Sequence, residues 1–178
     1  FKAEILRNLA ELDQLIDEIL LASRLDAQEA DLGTVESIDL SGLAAEECAR
    51  VDALLDTGDN TDAVEVRGIP KLLRRAIRNL LENARRYSAG EVEIQVRREG
   101  GRAVVRVSDH GPGVPPAQRE RIFEPFYRLP GASERDGGVG LGLALVRSIA
   151  ERHGGTVVCE ARLDGRGGAS FMLMLPLT

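Results

Sequence analysis

The chain has 178 residues and a mass of 19.3 kDa, enough for one domain with a short appendage. Hydrophobic residues make up 43% and charged residues 29%, which excludes a disordered tail or a fibrous repeat. Apolar runs such as Phe171–Leu175 fall far short of the roughly 20 residues that span a bilayer. Lysine and arginine number 23 against 29 acidic residues, and the net charge of −6 argues against a general nucleic-acid binder. Aromatics are only 3%, so the core is expected to be aliphatic. Cys48 and Cys159 stand apart, with no spacing for a disulfide framework or a zinc knuckle, so a reducing, cytoplasmic compartment is expected. The chain opens at Phe1 without a signal peptide and reads as a piece of a longer protein.

Residues 1–27 contain no Gly or Pro, and Ile5, Leu9, Leu12, Ile16 and Ile19 step by four, three, four and three. That spacing predicts a helix with a heptad seam. Leu6, Leu15 and Leu20 widen the stripe beyond a two-stranded coil, so a helix bundle is expected. Packing on its own domain is the simpler alternative. A polar link, residues 28–34, follows. Beyond it we expect a strand at Val35–Leu40, a helix at Leu43–Leu55, a polar turn at Thr57–Asp62 and a strand at Ala63–Val66. A strong helix is predicted at Lys71–Tyr87, then a hairpin of Val92–Arg97 and Ala103–Ser108 across Glu99-Gly-Gly101. A long Gly- and Pro-containing segment runs from Asp109 to Gly140. A helix near Leu141–His153 and strands around Thr156–Ala161 and Ala169–Leu175 close the chain. The expected class is α+β, a two-layer sandwich with a mixed sheet and helices on one face, preceded by the long helix.

The Lys71–Tyr87 helix has a buried stripe (Leu72, Leu73, Ala76, Ile77, Leu80, Leu81, Ala84) and a second face bearing Asn79, Asn83 and Arg86. Asparagine is a poor helix-interior residue, so two of them one turn apart suggest a ligand. An amide oxygen suits Mg²⁺ shared with phosphate oxygens, whereas the bland reading is a solvated polar face. Residues 71–88 carry six cations and one carboxylate, a local potential that attracts a polyanion. Next, Asp109-His-Gly-Pro-Gly113 puts a carboxylate at a strand end. It can accept a hydrogen bond from an exocyclic amine such as adenine's, beside glycines that let backbone approach a flat ligand. Gly137-Gly-Val-Gly-Leu-Gly142 opens directly into a helix, which suits phosphate, although a glycine run is also a common linker. Residues 130–138 have the polar, Gly-rich composition of a lid.

Taken in order, these motifs resemble the ATP-binding domain of bacterial sensor histidine kinases, of the Bergerat type. Asn79-Leu-Leu-Glu-Asn-Ala84 is similar to its N box, Asp109–Gly113 to its G1 box and Phe123-Glu-Pro-Phe126 to its F box. Gly138–Gly142 resembles the G2 box and Gly167-Gly-Ala-Ser-Phe171 the final glycine motif. Residues 1–27, with Leu12-Asp-Gln-Leu-Ile-Asp-Glu-Ile-Leu20 and Ser23-Arg-Leu-Asp26, resemble the second helix of the family's dimerisation bundle, leaving 35–178 as the catalytic domain.

The resemblance implies ATP and Mg²⁺ as cofactors. Asn83 would hold the metal, supported by Asn79, and these two would be the catalytic pair. Arg86 would face phosphate and Tyr87 would stack on adenine. Asp109 would read the adenine amine beside Gly111 and Gly113, with Ser170 reached through water. Gly138, Gly140, Leu141 and Gly142 would meet the phosphates under a lid anchored by Phe123 and Phe126, with Arg128 adding charge. The implied partners are a bundle bearing the acceptor histidine, a response regulator and a second copy in a homodimer. Contact with membrane would come only through segments outside this sequence.

The sequence departs from the family in three places. Ile69, before Pro70, stands where an acidic cap is usual, so a helix cap is lost. His110 replaces a second acidic or asparagine residue of the G1 box. Neither His110 nor His153 lies in an acceptor-like context, and a histidine closing a helix is ordinary because its cation complements the dipole. Two other functions compete with the kinase. One is an ATPase of the gyrase, chaperone and mismatch-repair superfamily, whose hydrolytic glutamate position holds Asn79 here, and an amide takes no proton from water. The other is a nucleotide-binding regulatory module without catalysis.

Overall fold

Alternating side chains build a five-stranded sheet in the computed structural model, which describes residues 1–28, 32–56, 63–88, 90–129 and 140–178. Strands β4 (Glu93–Glu99) and β5 (Arg102–Ser108) form the expected hairpin, with Val96 opposite Val105. β7 (Ala169–Pro176) pairs antiparallel with β5, β6 (Thr156–Ala161) pairs antiparallel with β7, and with β2 (Leu54–Asp56) at the edge the order is β2-β4-β5-β7-β6. On one face Ile94, Val96, Val105, Val107, Phe171, Leu173, Leu175, Val157 and Cys159 are buried in register. Three helices cover that face: α2 (Leu40–Val51), α3 (Pro70–Tyr87) and α4 (Gly142–Arg152). Both cysteines are buried, and burial pushes the Cys48 thiol up to about 11 and the Cys159 thiol up to about 12.

Two local readings give way to tertiary pairing. The helix expected at Leu43–Leu55 begins earlier, because Asp39 caps it by accepting the Ser41 N–H at 3.1 Å, and ends at Val51. Asp52 turns left-handed at φ +55°, and Leu54–Asp56 leaves as β2, parallel to β4 at the sheet edge. That exchange of helix for strand depends on an edge 39 residues downstream, which no local propensity encodes. The two strands before α3 do not join the main sheet. β1 (Glu36–Asp39) and β3 (Glu65–Gly68) pair antiparallel in a separate ribbon, Ile38 opposite Val66.

The first helix, α1 (Lys2–Asp26), packs on the core through its C-terminal end. Leu25 is buried, and Leu21 and Ala22 pack on the core. The heptad residues Ile5, Leu9, Leu12, Ile16 and Ile19 remain 45–54% exposed. Among the described residues no helix is long and apolar enough to cross a membrane.

A buried carboxylate joins α2 to α3. Glu47, 1% exposed, accepts from Arg78 Nε and Nη2 at 2.9 and 3.0 Å and from Arg74 Nη1 at 3.3 Å. Burial alone would raise this carboxyl. The hydrogen bonds and charge of Arg78, then Arg74, instead hold it below its ordinary value of 4.5. A depressed native value contributes stability above pH 4.5 that is lost as pH falls through the native value. Glu47→Gln should therefore cost about 1–3 kcal/mol at pH 7 and remove part of the acid sensitivity. Urea unfolding at a series of pH values checks both, and an unchanged acid slope would exclude Glu47 as its source.

Candidate functional site

The polar flank of α3 faces a cavity of about 1100 Å³. Asn79 lies only 4% exposed at its back, and its Nδ2 donates to the Gly142 carbonyl at 3.2 Å. This bond ties α3 to the first residue of α4. One turn on, Asn83 lines the cavity with Arg86 and Tyr87. Its amide has no such helix-joining bond among the described residues. The packing of Leu72, Leu73, Ala76, Ile77, Leu80, Leu81 and Ala84, all at most 1% exposed, fixes the rotation of α3 and so aims both asparagines.

At the far side β5 delivers Asp109, 4% exposed. Its backbone N–H donates to the Ala169 carbonyl at 3.0 Å, and its Oδ1 accepts from the N–H groups of Ala169 and Gly111 at 3.1 and 3.0 Å. The carboxylate is thus held by backbone from two segments. Gly111 has no room for a side chain, since a Cβ would lie 2.2 Å from the Tyr87 carbonyl oxygen. That contact locks the turn after Asp109 onto the end of α3. Gly113 lines the cavity beside Pro112, whereas Gly111 serves the turn behind it.

The third wall is the entry to α4. Gly140, Leu141 and Gly142 line the cavity, and the N-terminus of α4 opens there with its helix dipole. Gly140 has φ +82°, and a Cβ would lie 2.7 Å from the Tyr127 carbonyl oxygen. Its own carbonyl accepts the Phe126 N–H at 2.9 Å. Arg128 also lines the cavity, and Gly138 lies outside the described residues.

Two aromatic residues read as a pair behave differently. Phe123 is buried, edge-on to Phe171 with ring centroids 6.3 Å apart. Phe126 is 65% exposed at φ +66°, absent from the cavity wall, and contributes its backbone rather than its ring. Ser170 is not brought into the site either. The pleat of β7 turns Ala169 and Phe171 toward the cavity and Ser170 to the opposite face, where its hydroxyl shares a 2.8 Å hydrogen bond with Ser108. The residue next to Asp109 is Ala169.

Sequence reasoning missed two contributions. Arg162, 8% exposed, donates from Nη1 to the Asp109 carbonyl at 2.9 Å. Its other donors grip Asp164 at 3.1 and 2.7 Å, which holds the Asp164 carboxyl well below its usual range. No motif marks Arg162, although an Asp two residues on is a weak sign of a fixed guanidinium. The second contribution is α1, whose Glu11, Leu15 and Glu18 form part of the cavity wall. Burial raises the Glu18 carboxyl, Arg75 and Arg86 pull it down, and Glu82 pushes it up.

Among the described residues no group of three or more His, Cys, Asp or Glu gathers around a metal. The donors fit a hard cation held by one amide oxygen, Asn83's, with waters and phosphate oxygens completing its shell.

The family model of histidine kinase-, DNA gyrase B- and HSP90-like ATPases matches residues 68–178. The sensor protein RstB of Escherichia coli is 37% identical over 96% of this chain and 40% of its own length. The sensor protein kinase PmrB of Pseudomonas aeruginosa is 36% identical over 98% of this chain and 38% of its own. The chain therefore spans about two fifths of these relatives. Among solved structures, full-length ShkA in complex with AMPPNP superposes with a TM-score of 0.78 at 28% identity, over 98% of this chain and 38% of ShkA. The mycobacterial sensor histidine kinase MprB gives 0.68 at 28% identity, over 81% of this chain and 98% of that one. Fold, site walls and relatives agree: this chain belongs to the histidine kinase-, DNA gyrase B- and HSP90-like ATPase family and carries the ATP-binding domain of a sensor histidine kinase.

Proposed function

We propose that the cavity binds ATP with Mg²⁺ and that the γ-phosphoryl passes to a histidine on a dimerisation bundle, for relay to a response-regulator aspartate. One observation carries this reading: a single cavity holds a backbone-fixed carboxylate, Asp109, at one side and Asn83 with the α4 N-terminus at the other. That separation of a base-reading acceptor from an anion-binding end suits an adenine nucleotide. Asp109 accepts the adenine amine, and Tyr87 lies against the base. Asn83, Arg86 and the amides of Gly140–Gly142 hold the phosphates, with Gly138 and Arg128 as further contributors. Mg²⁺ on Asn83 supplies charge neutralisation for the transferring group. The protein's share is positioning: α3 and α4 cannot shift separately while Asn79 bonds Gly142.

Continuous ATP hydrolysis is the weaker reading. Asn79 occupies the place of a hydrolytic base, and its amide donates to a carbonyl instead of accepting a proton. The exposed heptad stripe of α1 suits the second helix of a homodimeric bundle, in which residues 1–27 would pair with the acceptor-bearing helix. The two histidines are otherwise engaged, His153 with the Ile69 N–H and His110 with Glu93. A cytoplasmic site, with any membrane anchor in other parts of the intact protein, follows from this reading.

The chain should bind ATP or ADP with micromolar to sub-millimolar affinity, about −5 to −8 kcal/mol. Asp109→Asn should weaken that at least tenfold with little change in unfolding midpoint, and calorimetry beside thermal unfolding separates the two. A wild-type chain blind to both nucleotides would sink the assignment.

Asn83→Ala should abolish most of the gain in ATP affinity on adding Mg²⁺, leaving Mg²⁺-free binding within about threefold. Titrations with and without chelator test it, and a wild-type Mg²⁺ response would remove Asn83 from the metal.

Incubated with radiolabelled ATP, the chain alone should stay unlabelled, yet it should label a separate bundle fragment carrying the acceptor helix. Transfer should be slow, because docking in trans forfeits effective concentration. Acid-labile label on His110 or His153 would contradict this, and an unlabelled competent bundle would favour the regulatory alternative.

A further inference from the structure

The start of α3 lacks a side-chain cap. Ile69 at the N-cap has no side-chain acceptor, and Pro70 follows at the first helical position. A capping box would send a Glu or Gln back to the N-cap N–H from the third helical position, but that residue is Leu72. The Ile69 N–H is satisfied from 84 residues away, where Nε2 of His153 accepts it at 3.1 Å. The other ring nitrogen, Nδ1, donates to the Ile149 carbonyl in the last turn of α4 at 2.7 Å. These two bonds require the neutral ring with its proton on Nδ1, because a charged imidazole has no lone pair left for Ile69. Gly68 leaves space for the ring: a Cβ there would lie 2.6 Å from His153 Cδ2.

The ring closes one end of the α3–α4 contact, and the Asn79–Gly142 bond closes the other. The two helices therefore run antiparallel, with α4 pinned at both its ends to the first half of α3. α3 carries Asn83, and α4 presents its N-terminus to the same cavity. Their mutual register sets the distance between the asparagine amide and the glycine amides at the phosphate end.

We propose that His153 is a positioning residue for the nucleotide's phosphates: a neutral imidazole clasp that registers α4 against α3, released when the ring takes a proton. This rests on the nucleotide reading of the cavity. Burial, opposed by the Ile149 hydrogen bond and reinforced by the Arg152 charge, lowers the ring's proton affinity below its ordinary value of 6.5. Arg152 is on the ring's own helix, and the charged residues of the packed β3 and first turn of α3 (Glu65, Arg67 and Lys71) are exposed. The clasp is thus complete above pH 6.5 and lost as pH falls through the lower native value.

The test compares wild type, His153→Ala and His153→Gln in calorimetric titrations with Mg²⁺ and a non-hydrolysable ATP analogue, and with adenosine, between pH 5.5 and 8. At pH 8, His153→Ala should lose about tenfold in affinity for the analogue while holding adenosine within about twofold. His153→Gln, whose amide oxygen can accept the Ile69 N–H, should recover most of the loss. The ratio of wild-type to Gln-variant affinity should fall on acidification, and the titration of ATP itself cancels in that ratio. Long-range ¹H–¹⁵N spectra of the wild-type ring at pH 8 should show Nδ1 protonated and Nε2 bare. Equal losses for analogue and adenosine, an unaffected Ala variant, a pH-independent ratio or the opposite tautomer would each overturn the proposal. If His153→Ala fails to fold, the spectra and the wild-type to Gln ratio decide it. A wild-type chain that binds neither analogue nor adenosine would defeat the nucleotide reading, and with it the role of His153.

Discussion

Seven apolar side chains of α3 are shut away from solvent, and the asparagines on its flank can be no better placed than that burial allows. Truncating a residue such as Leu80 or Ile77 typically costs 2–5 kcal/mol, so the helix cannot roll to satisfy its polar face. Asn79 makes the constraint shared. Its buried amide spends a hydrogen bond on the carbonyl of Gly142, so the same rotation that packs the core also fixes the entry of α4. Core and cavity wall are thus two faces of one rigid element, and the Asn79–Gly142 end of the cavity inherits the precision of the interior.

The opposite end gets its rigidity from the sheet. Asp109 stands one residue beyond β5, where its N–H donates to the Ala169 carbonyl and its side-chain Oδ1 accepts the Ala169 N–H at the start of β7. Arg162 holds the carbonyl of the same residue from behind, its own charge shared between Asp164 and Glu93 at 2.7 and 3.7 Å. Charge-assisted bonds in such a network are stronger than neutral ones. They fasten the backbone and leave the carboxylate's second oxygen free of the network.

The parts legible in the sequence are those written in local spacing. The amphipathic stripe of α3, the alternation of β4 and β5 and the glycine step into α4 each depend on neighbours within a few residues. The parts that were not legible depend on distant pairing. β2 looks helical until β4 offers it an edge. Ser170 looks like the polar residue of its motif, but only the register with β5 reveals that Ala169 faces the carboxylate. His153 reads as a helix-closing cation, yet the missing cap at Ile69 turns it into a neutral acceptor. Two apparent weaknesses of the sequence, far apart along the chain, thus complete one another in space.

The width of the α1 stripe has a similar explanation. A single packing seam needs an apolar strip about two residues wide per heptad, and α1 carries more. Leu12 and Leu15 line the cavity and Leu21, Ala22 and Leu25 pack inward, while Ile5, Leu9, Ile16 and Ile19 stay exposed. The helix is apolar on two sides, and only one of them is covered by described residues of this chain. Glu18 sits between those sides, near Arg75 and Arg86, with its carboxyl raised first by burial. A face that were merely solvated would neither half-bury a carboxylate nor form a wall of the cavity. The outer stripe therefore belongs to a helix that also lines the cavity. Leu15 and Glu18 thus connect the packing of this helix to the wall of the cavity.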